Sequence, residues 1–448
     1  METFGFKTLN YLGSKLRLID FIEKNISAVA SDGECVCDLF AGSGCVSYRL
    51  SQSHPIISCD IQEYSQVICE ALLNPSDVTK EELNSLVQHF HSSSFQKLIN
   101  VFKPLIDIEE KAIENKNLEI LADVIEYGSI EVFNIEKHKS HVSSAIEKVC
   151  QALQAQKLYT KKTLITRYYG GVYFSYKQAV FIDGILELIH SKINPCKKNV
   201  FLAALLSTVS EIADTVGKHF AQPLKVRDSK GKIKTLVYSK AIKDKTVDVQ
   251  LLYKNWLLKY INLQKSGFKH QTMRCDFLQC LRNLPDNVKT IYADPPYTRE
   301  HYSRYYHVLE TIVLRDSPQL STVTIHGKKK ISNGIYRQNR FQSPFCIKSK
   351  ALGTFNELFE IASLKDRNLI LSYSPYDESK KTHPRVVTIQ QLLDIAQKYY
   401  RSVNVVSAGH FLHNKLNSSS RLLEASDEAE ILIVCTTPQK RSVSNVVK

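Results

Sequence analysis

Asp294-Pro295-Pro296-Tyr297 follows directly on an apolar, β-branched run, Val288–Ala293. A strand there would put the tetrapeptide at its carboxyl end, where open α/β sheets bind ligands. Two prolines fix φ and remove two backbone donors. What remains is rich in acceptors: the Asp294 carboxylate and the Pro295 carbonyl, beside the flat ring of Tyr297. That set suits an exocyclic amine on a planar base. The bland alternative is a rigid turn with a helix-capping aspartate.

Three further groups could work with it. Asp38-Leu39-Phe40-Ala41-Gly42-Ser43-Gly44 joins the run Cys35–Leu39 to a helix-length piece, Cys45–Ser53. Gly42 and Gly44 let the backbone approach a ligand closely. Asp60, sixteen residues after Gly44, ends the next run, Pro55–Cys59, where an acid can accept both ribose hydroxyls. Cys45-Val46-Ser47 follows Gly44, so the full Gly-x-Gly-x-x-Gly is missing. Adenosine without phosphates is therefore favoured over a pyrophosphate. Asp276-Phe277 could grip an adenine by its amino group and its face. Asn10–Lys15 opens a helical pattern with Leu16, Ile19, Ile22 and Ile26 on one face and Ser14 as its N-cap. Lys15 then stands against the positive end of the helix dipole. It is best explained if it meets a carboxylate, such as that of a bound amino acid.

The elements that must position these residues follow from the apolar runs. Strands are expected at Cys35–Leu39, Pro55–Cys59, a short stretch ending near Cys275, Val288–Ala293, Asn368–Tyr373, Ser402–Ser407 and Glu430–Cys435. Most are continuous rather than alternating, which fits strands covered on both faces. Helical pieces between them give the βαβ rhythm of a doubly wound parallel sheet. Between about Asn74 and Gly267 the rhythm changes to amphipathic helical stretches such as Ile106–Ile125, the mark of an inserted, mostly helical domain. The expected division is 1–75 with 268–448, and 76–267 as the insertion.

The chain has 448 residues, 43% hydrophobic and 23% charged, which excludes a mostly disordered protein. Its apolar runs are shorter than the ~18 residues of a membrane span, and Met1-Glu2-Thr3 does not open a secretory signal. Eleven cysteines without a Cys-x-x-Cys suggest small buried residues in a reducing compartment rather than a metal site. The expectation is a cytoplasmic protein with no membrane partner. A net charge of +14 favours polyanions such as nucleic acid. From Thr324 to Lys350 seven basic residues, among them Lys328, Lys329, Lys330, Arg337 and Arg340, meet no acid and are interleaved with Tyr336, Phe341 and Phe345. That mixture suits phosphate contact and base stacking. From Lys225 to Lys245 eight basic residues meet only Asp228 and Asp244.

Taken in order, Tyr11–Lys15, Phe40–Gly44, Asp60, a long insertion, Asp276-Phe277 and Asp294–Tyr297 resemble the Dam-type DNA adenine methyltransferases. The resemblance covers roughly half the chain. It implies a seven-stranded, Rossmann-like methyltransferase sheet with a final reversed hairpin, S-adenosylmethionine as methyl donor, no metal, and N6-methyladenine in double-stranded DNA as product. It also implies that the insertion is a target-recognition domain. Asp294, Pro295 and Tyr297 would then act on the adenine. Tyr11, Lys15, Phe40, Gly42, Gly44, Asp60, Asp276 and Phe277 would hold the donor. Tyr11 stands where those enzymes often carry Trp. Arg167–Phe174 and His219–Lys225 look like segments of restriction–modification methyltransferases, whose partner would be a separate endonuclease. The competing readings are a cytosine-N4 methyltransferase, which more often has Ser before Pro-Pro-Tyr, an RNA adenine methyltransferase, usually with Asn there, and a non-catalytic DNA-binding subunit.

Overall fold

The computed structural model describes residues 6–298, 301–374, 385–408 and 430–439. Its strands are β1 (Cys35–Asp38), β2 (Ile56–Asp60), β3 (Gln271–Arg274), β4 (Val288–Ala293), β5 (Thr322–Ile325), β6 (Lys328–Ile331), β7 (Asn368–Tyr373), β8 (Tyr400–Ser407) and β9 (Ile431–Pro438). Seven of them form one sheet in the order β3-β2-β1-β4-β7-β9-β8. The first five are parallel, and β9 runs antiparallel between β7 and β8. All seven expected strands are present, and the reversed hairpin is β8–β9. The chain runs outward from β1 through β2 to β3, then restarts at β4 on the other side of β1. The strand order thus reverses between β1 and β4, where α/β sheets open a ligand crevice.

The continuous apolar runs have the expected cause. Cys37, Ile291, Leu369 and Leu371 bury on one face, in one cluster with Phe355, Leu358 and Phe359 of the helix Lys348–Leu364. Their chain neighbours Val36, Tyr292 and Ile370 bury on the other, with Ile19, Ile22 and Ile26 of the helix Ile19–Ser27. Alternation along each strand sends successive side chains to opposite faces, and both faces are dry. Arg367, fully buried, secures the far end of β4. Its guanidinium donates to the carbonyls of Val288 (3.0 Å), Leu281 (2.9 Å) and Leu284 (2.8 Å).

The chain divides into two compact units. The sheet unit comprises Met1–Asn74, Gln264–Tyr302 and Phe341–Lys448; the second comprises Pro75–Leu263 and Ser303–Arg340. The second is mostly helical, with long elements at Ser93–Glu114, Tyr176–Lys192, Lys198–Ile212 and Val249–Ile261. The single helical stretch expected over Ile106–Ile125 is two helices, because Asn115-Lys116-Asn117 breaks it and Asn117 caps the next helix, Leu118–Tyr127.

Segment 303–340, counted with the catalytic part from sequence, is built into this second unit. The Tyr173 hydroxyl donates to Phe220 O (2.9 Å) and Gly334 O (3.0 Å), and Phe220 N–H donates to Tyr305 O (2.8 Å). Arg167–Phe174 and His219–Lys225, unassigned from sequence, therefore meet in one buried junction. There the His219 and Tyr305 rings are 4.6 Å apart.

Candidate active site

Three adjacent strands of the sheet end in aspartate: β2 in Asp60, β1 in Asp38, and β4 runs into Asp294. Burial of Asp38 pushes its carboxyl up to about 7, with Asp294 and Asp60 adding to the rise and the Ser47 hydroxyl, 2.6 Å from Oδ2, opposing it. Its Oδ1 is buried with no hydrogen-bond partner among the described residues. The row concentrates negative charge at the carboxyl ends of the central strands.

Lys15 answers that charge. Ser14 caps the single tight turn Lys15–Leu18, accepting from Leu16 N–H, and the Lys15 side chain turns inward, almost fully buried. Its Nζ lies 3.1 Å from Asp294 Oδ1 and 3.2 Å from Glu430 Oε1. Burial opposes the ammonium, but the two carboxylates outweigh it and hold the Lys15 pKa well above the ordinary lysine value. The carboxylate that the helix-start lysine required is thus present within the chain, as Asp294 and Glu430. Asp294 itself is pushed up to about 6 by burial, with Lys15 pulling it down and Glu430 pushing it up. Its side chain is 21% exposed, so a ligand can reach it.

Pro295 is buried and Tyr297 half-buried. The Tyr297 ring packs against Tyr373 at 4.8 Å, and Arg385 lies over it with Cζ 4.8 Å from the centroid. Arg385 is tied down by Ser374, to whose carbonyl and hydroxyl it donates at 2.9 and 2.7 Å. Sequence reasoning missed Arg385 and Glu430. Glu430 stands at the head of the expected last strand, but one acid before an apolar run gives no chemical signal.

The glycine loop is held by Asp60. Gly42 N–H donates to Asp60 Oδ2 at 3.0 Å and Gln62 N–H to Oδ1 at 2.9 Å, while the Ser65 hydroxyl donates to Gly42 O at 2.7 Å. A carboxylate oxygen has lone pairs enough to accept from a ligand as well. Gly42 has φ +52° and lies against Tyr11; a Cβ there would sit 2.8 Å from the tyrosine oxygen. Gly44, φ +73°, caps the helix Cys45–Leu50, and a Cβ would meet Leu72 at 2.7 Å. Both positions need glycine. Asp276 caps Phe277–Asn283, accepting from Gln279 N–H at 2.9 Å. Phe277 packs 6.0 Å from Phe40 and 5.0 Å from Phe345. Of the residues expected from sequence to hold the donor, Phe40, Gly42, Gly44, Asp60, Asp276 and Phe277 stand at or follow the carboxyl ends of β1, β2 and β3 and Tyr11 lies on Gly42, whereas Lys15 lies on Asp294 and Glu430. A close glycine surface, a fixed carboxylate and an aromatic group fit an adenosine, and the aspartate row fits a ligand carrying positive charge.

The basic segment divides. Thr322–Ile325 and Lys328–Ile331 form an antiparallel hairpin whose turn residues His326 and Gly327 both have positive φ, the signature of a type I′ turn. Lys328, Lys329 and Lys330 are exposed on it. Arg337 pairs with Asp316, and Arg340 donates to Ser321 Oγ at 2.8 Å with its guanidinium 4.7 Å from the Tyr336 ring centroid. Tyr336 and Phe345 are buried, leaving Phe341 exposed. The run Lys225–Lys245 divides as well: Arg227 meets Glu119, Asp123 and Glu126 and Lys245 is fully buried on Glu109 at 3.1 Å, while Lys225, Lys230, Lys232 and Lys243 are exposed. Cys59, Cys275 and Cys280 bring their sulfurs within 4.8 Å of one another inside the apolar cluster under β1 and β2. No helix among the described residues is long and apolar enough to cross a membrane.

A mostly parallel sheet whose strand order reverses between β1 and β4 carries, at its carboxyl ends, an acceptor set beside a close glycine loop. The chain belongs to the D12 class N6 adenine-specific DNA methyltransferase family, whose model matches residues 11–180 and 217–372. It is similar to the modification methylase LlaI of Lactococcus lactis subsp. lactis, 24% identical over 431 residues that make up 95% of this chain and 54% of that protein. It is also similar to the type II methyltransferase M.FokI of Planomicrobium okeanokoites (24% identical; 82% of this chain, 44% of that protein). A third relative is M.NlaIII of Neisseria lactamica (22% identical; 82% of this chain, 83% of that protein). The chain spans about half the length of the first two.

Proposed function

We propose that this chain methylates the exocyclic amine of adenine in double-stranded DNA, using S-adenosylmethionine, as the protective half of a restriction–modification system. The carrying observation is Asp294, at the carboxyl end of β4, ion-paired to the buried Lys15 yet open to a ligand. Family membership and relatives named as modification methylases support the same reading.

The chemistry of the site follows from its acceptors. A target adenine leaves the base stack at a cost of a few kcal/mol. Asp294 and the Pro295 carbonyl accept its two amino hydrogens while Tyr297 offers a ring face. Those bonds draw the amino lone pair out of conjugation and make it nucleophilic. When bound, S-adenosylmethionine supplies a methyl group on a sulfonium, an electrophile that needs no covalent enzyme intermediate. Asp60 holds the ribose hydroxyls, Asp276 the adenine amino group, Phe40 and Phe277 its ring, and Tyr11, on Gly42, the methionine end. Lys15, grouped with the donor on sequence grounds, acts here on Asp294. The second unit reads the DNA sequence, and Lys328, Lys329 and Lys330 meet phosphates. The protein works in the cytoplasm beside a separate endonuclease.

Incubation with DNA and methyl-labelled S-adenosylmethionine, followed by digestion to nucleosides, tests this. Label in N6-methyl-2′-deoxyadenosine supports the reading; label in a methylated deoxycytidine, or none, overturns it.

A further inference from the structure

Among the described residues, one ammonium and two carboxylates meet at the end of β4. Lys15 Nζ is 3.1 Å from Asp294 and 3.2 Å from Glu430, and the Glu430 side chain is 1% exposed. Glu430 is also fixed from the sheet: the Ser372 hydroxyl of β7 donates to Oε1 at 2.7 Å. Its other oxygen, Oε2, is buried without a hydrogen-bond partner among the described residues. Burying a carboxylate this incompletely satisfied is costly. A neutral Lys15–Asp294 pair would be the cheaper construction if the site only had to hold Asp294 still.

We infer that Glu430 is a positioning residue for amine activation: it shares the Lys15 ammonium with Asp294, so that Asp294 keeps acceptor strength a closed ion pair would lose. An ammonium committed to Asp294 alone would compete with the adenine amine for the same lone pairs. Divided between two carboxylates, Lys15 orients Asp294 and leaves the trio with a surplus negative charge. The amine gains positive charge as it attacks, and preorganised negative charge beside it lowers that barrier. The inference rests on the function proposed above, and deepens it.

Lys15 before the helix Ile19–Ser27 and Glu430 before β9 act on Asp294 electrostatically, and Asp294 in turn raises Asp38 at the end of β1, Cys45 of the following helix, Tyr292 of β4, and Tyr297. Of these, Glu430 is the one carboxylate that shares the Lys15 ammonium with Asp294.

The test is Glu430→Gln, which keeps an acceptor for Ser372 and removes the charge. In donor-free protein labelled with ¹³C at aspartate carboxyls, with Asp294→Asn assigning the signal, the Asp294 titration midpoint should move to lower pH than in the wild type. Single-turnover methyl transfer at saturating donor should fall about tenfold on the pH plateau, with its acidic limb shifted the same way. A Glu430 with a packing role alone would lower the melting temperature and leave the midpoint where it was; that result overturns the inference. Should Glu430→Gln not fold, Glu430→Asp withdraws the carboxylate by one methylene and should move the midpoint in the same direction by less, and an unmoved midpoint is again contradictory. Failure of the wild type to make N6-methyladenine would instead defeat the proposed function, and the titration reads out independently of it.

Discussion

The strand-end site and the basic segment Thr324–Lys350 treat charge in opposite ways. At the strand ends, Asp60, Asp38 and Asp294 sit on adjacent strands, and the buried Lys15 pairs with Asp294. The three acids stay together because each stands at the end of a central strand of the sheet, although burial raises all three carboxyls above the ordinary aspartate value. In the basic segment, seven cations without an acid read from sequence as one surface. The fold commits Arg337 to Asp316 and Arg340 to Ser321 and the Tyr336 ring, and leaves Lys328, Lys329 and Lys330 exposed on a hairpin. In this segment the arginines, with planar donor forks, are drawn into internal structure, while the strongly hydrated hairpin lysines stay in water. A run of like charge is thus weaker testimony to a partner than a single acid at a strand end.

This contrast can be broken at four places. Lys15→Met removes the counter-charge of the strand-end site. Asp294 is already raised to about 6, and Lys15 pulls it downward, so the substitution should move it higher. In the proposed mechanism methyl transfer needs the ionised carboxylate, so it should rise with pH through about 6 in the wild type, and this limb should shift to higher pH in the variant. At pH near 7 single-turnover transfer should fall on the order of 10–100-fold, the weight of a charged hydrogen bond of about 1.5–3 kcal/mol. A limb that stays in place would separate Lys15 from Asp294.

Arg367→Met tests the rigidity of β4 from its other end. It leaves the carbonyls of Val288, Leu281 and Leu284 without their donor. Each unsatisfied buried group costs about 1–3 kcal/mol, so denaturant unfolding should show a loss of about 3 kcal/mol or more. A loss below about 1 kcal/mol would mean those carbonyls find water.

Asp60→Ala sharpens the donor side. Calorimetry should show the dissociation constant for S-adenosylmethionine raised by about tenfold or more, with DNA binding in its absence nearly unchanged. Normal donor affinity would contradict the assignment. The smallest effect belongs to the basic hairpin. Neutralising Lys328, Lys329 and Lys330 together should flatten the log–log salt dependence of DNA binding by about 0.9 for each phosphate that the variant no longer neutralises. Arg337→Ala, by contrast, should lower stability and leave that slope alone. Equal slopes in all variants would remove the hairpin from the DNA interface.

The seven strands of the sheet were legible because each is a short apolar run with polar punctuation, and burial on both faces makes such runs continuous. Asp294–Tyr297 and Phe40–Gly44 were legible because proline and glycine restrict the backbone, and the order of strands placed them at one sheet edge. The hairpin β5–β6 was not, since three consecutive lysines mask the β-branched pattern of Thr322–Ile325 and the turn at His326-Gly327 lacks the usual Asn or Asp. Glu430 was invisible for a different reason: its meaning comes from Lys15, more than four hundred residues away in sequence, and only the sheet order brings them together. Lys15 itself was flagged by an electrostatic conflict with the helix start, which pointed to a carboxylate but not to which one.

The proposed mechanism turns on Asp294 as the acceptor that activates an adenine amine. Single-turnover methyl transfer to duplex DNA by Asp294→Ala, compared with the wild type at saturating S-adenosylmethionine, measures its role most directly. Loss of one charged hydrogen bond alone costs on the order of 10–100-fold, and loss of alignment adds to it. The predicted result is a folded variant that still binds DNA and forms N6-methyladenine at least ~100-fold more slowly. A variant that keeps a near-normal rate would contradict the mechanism.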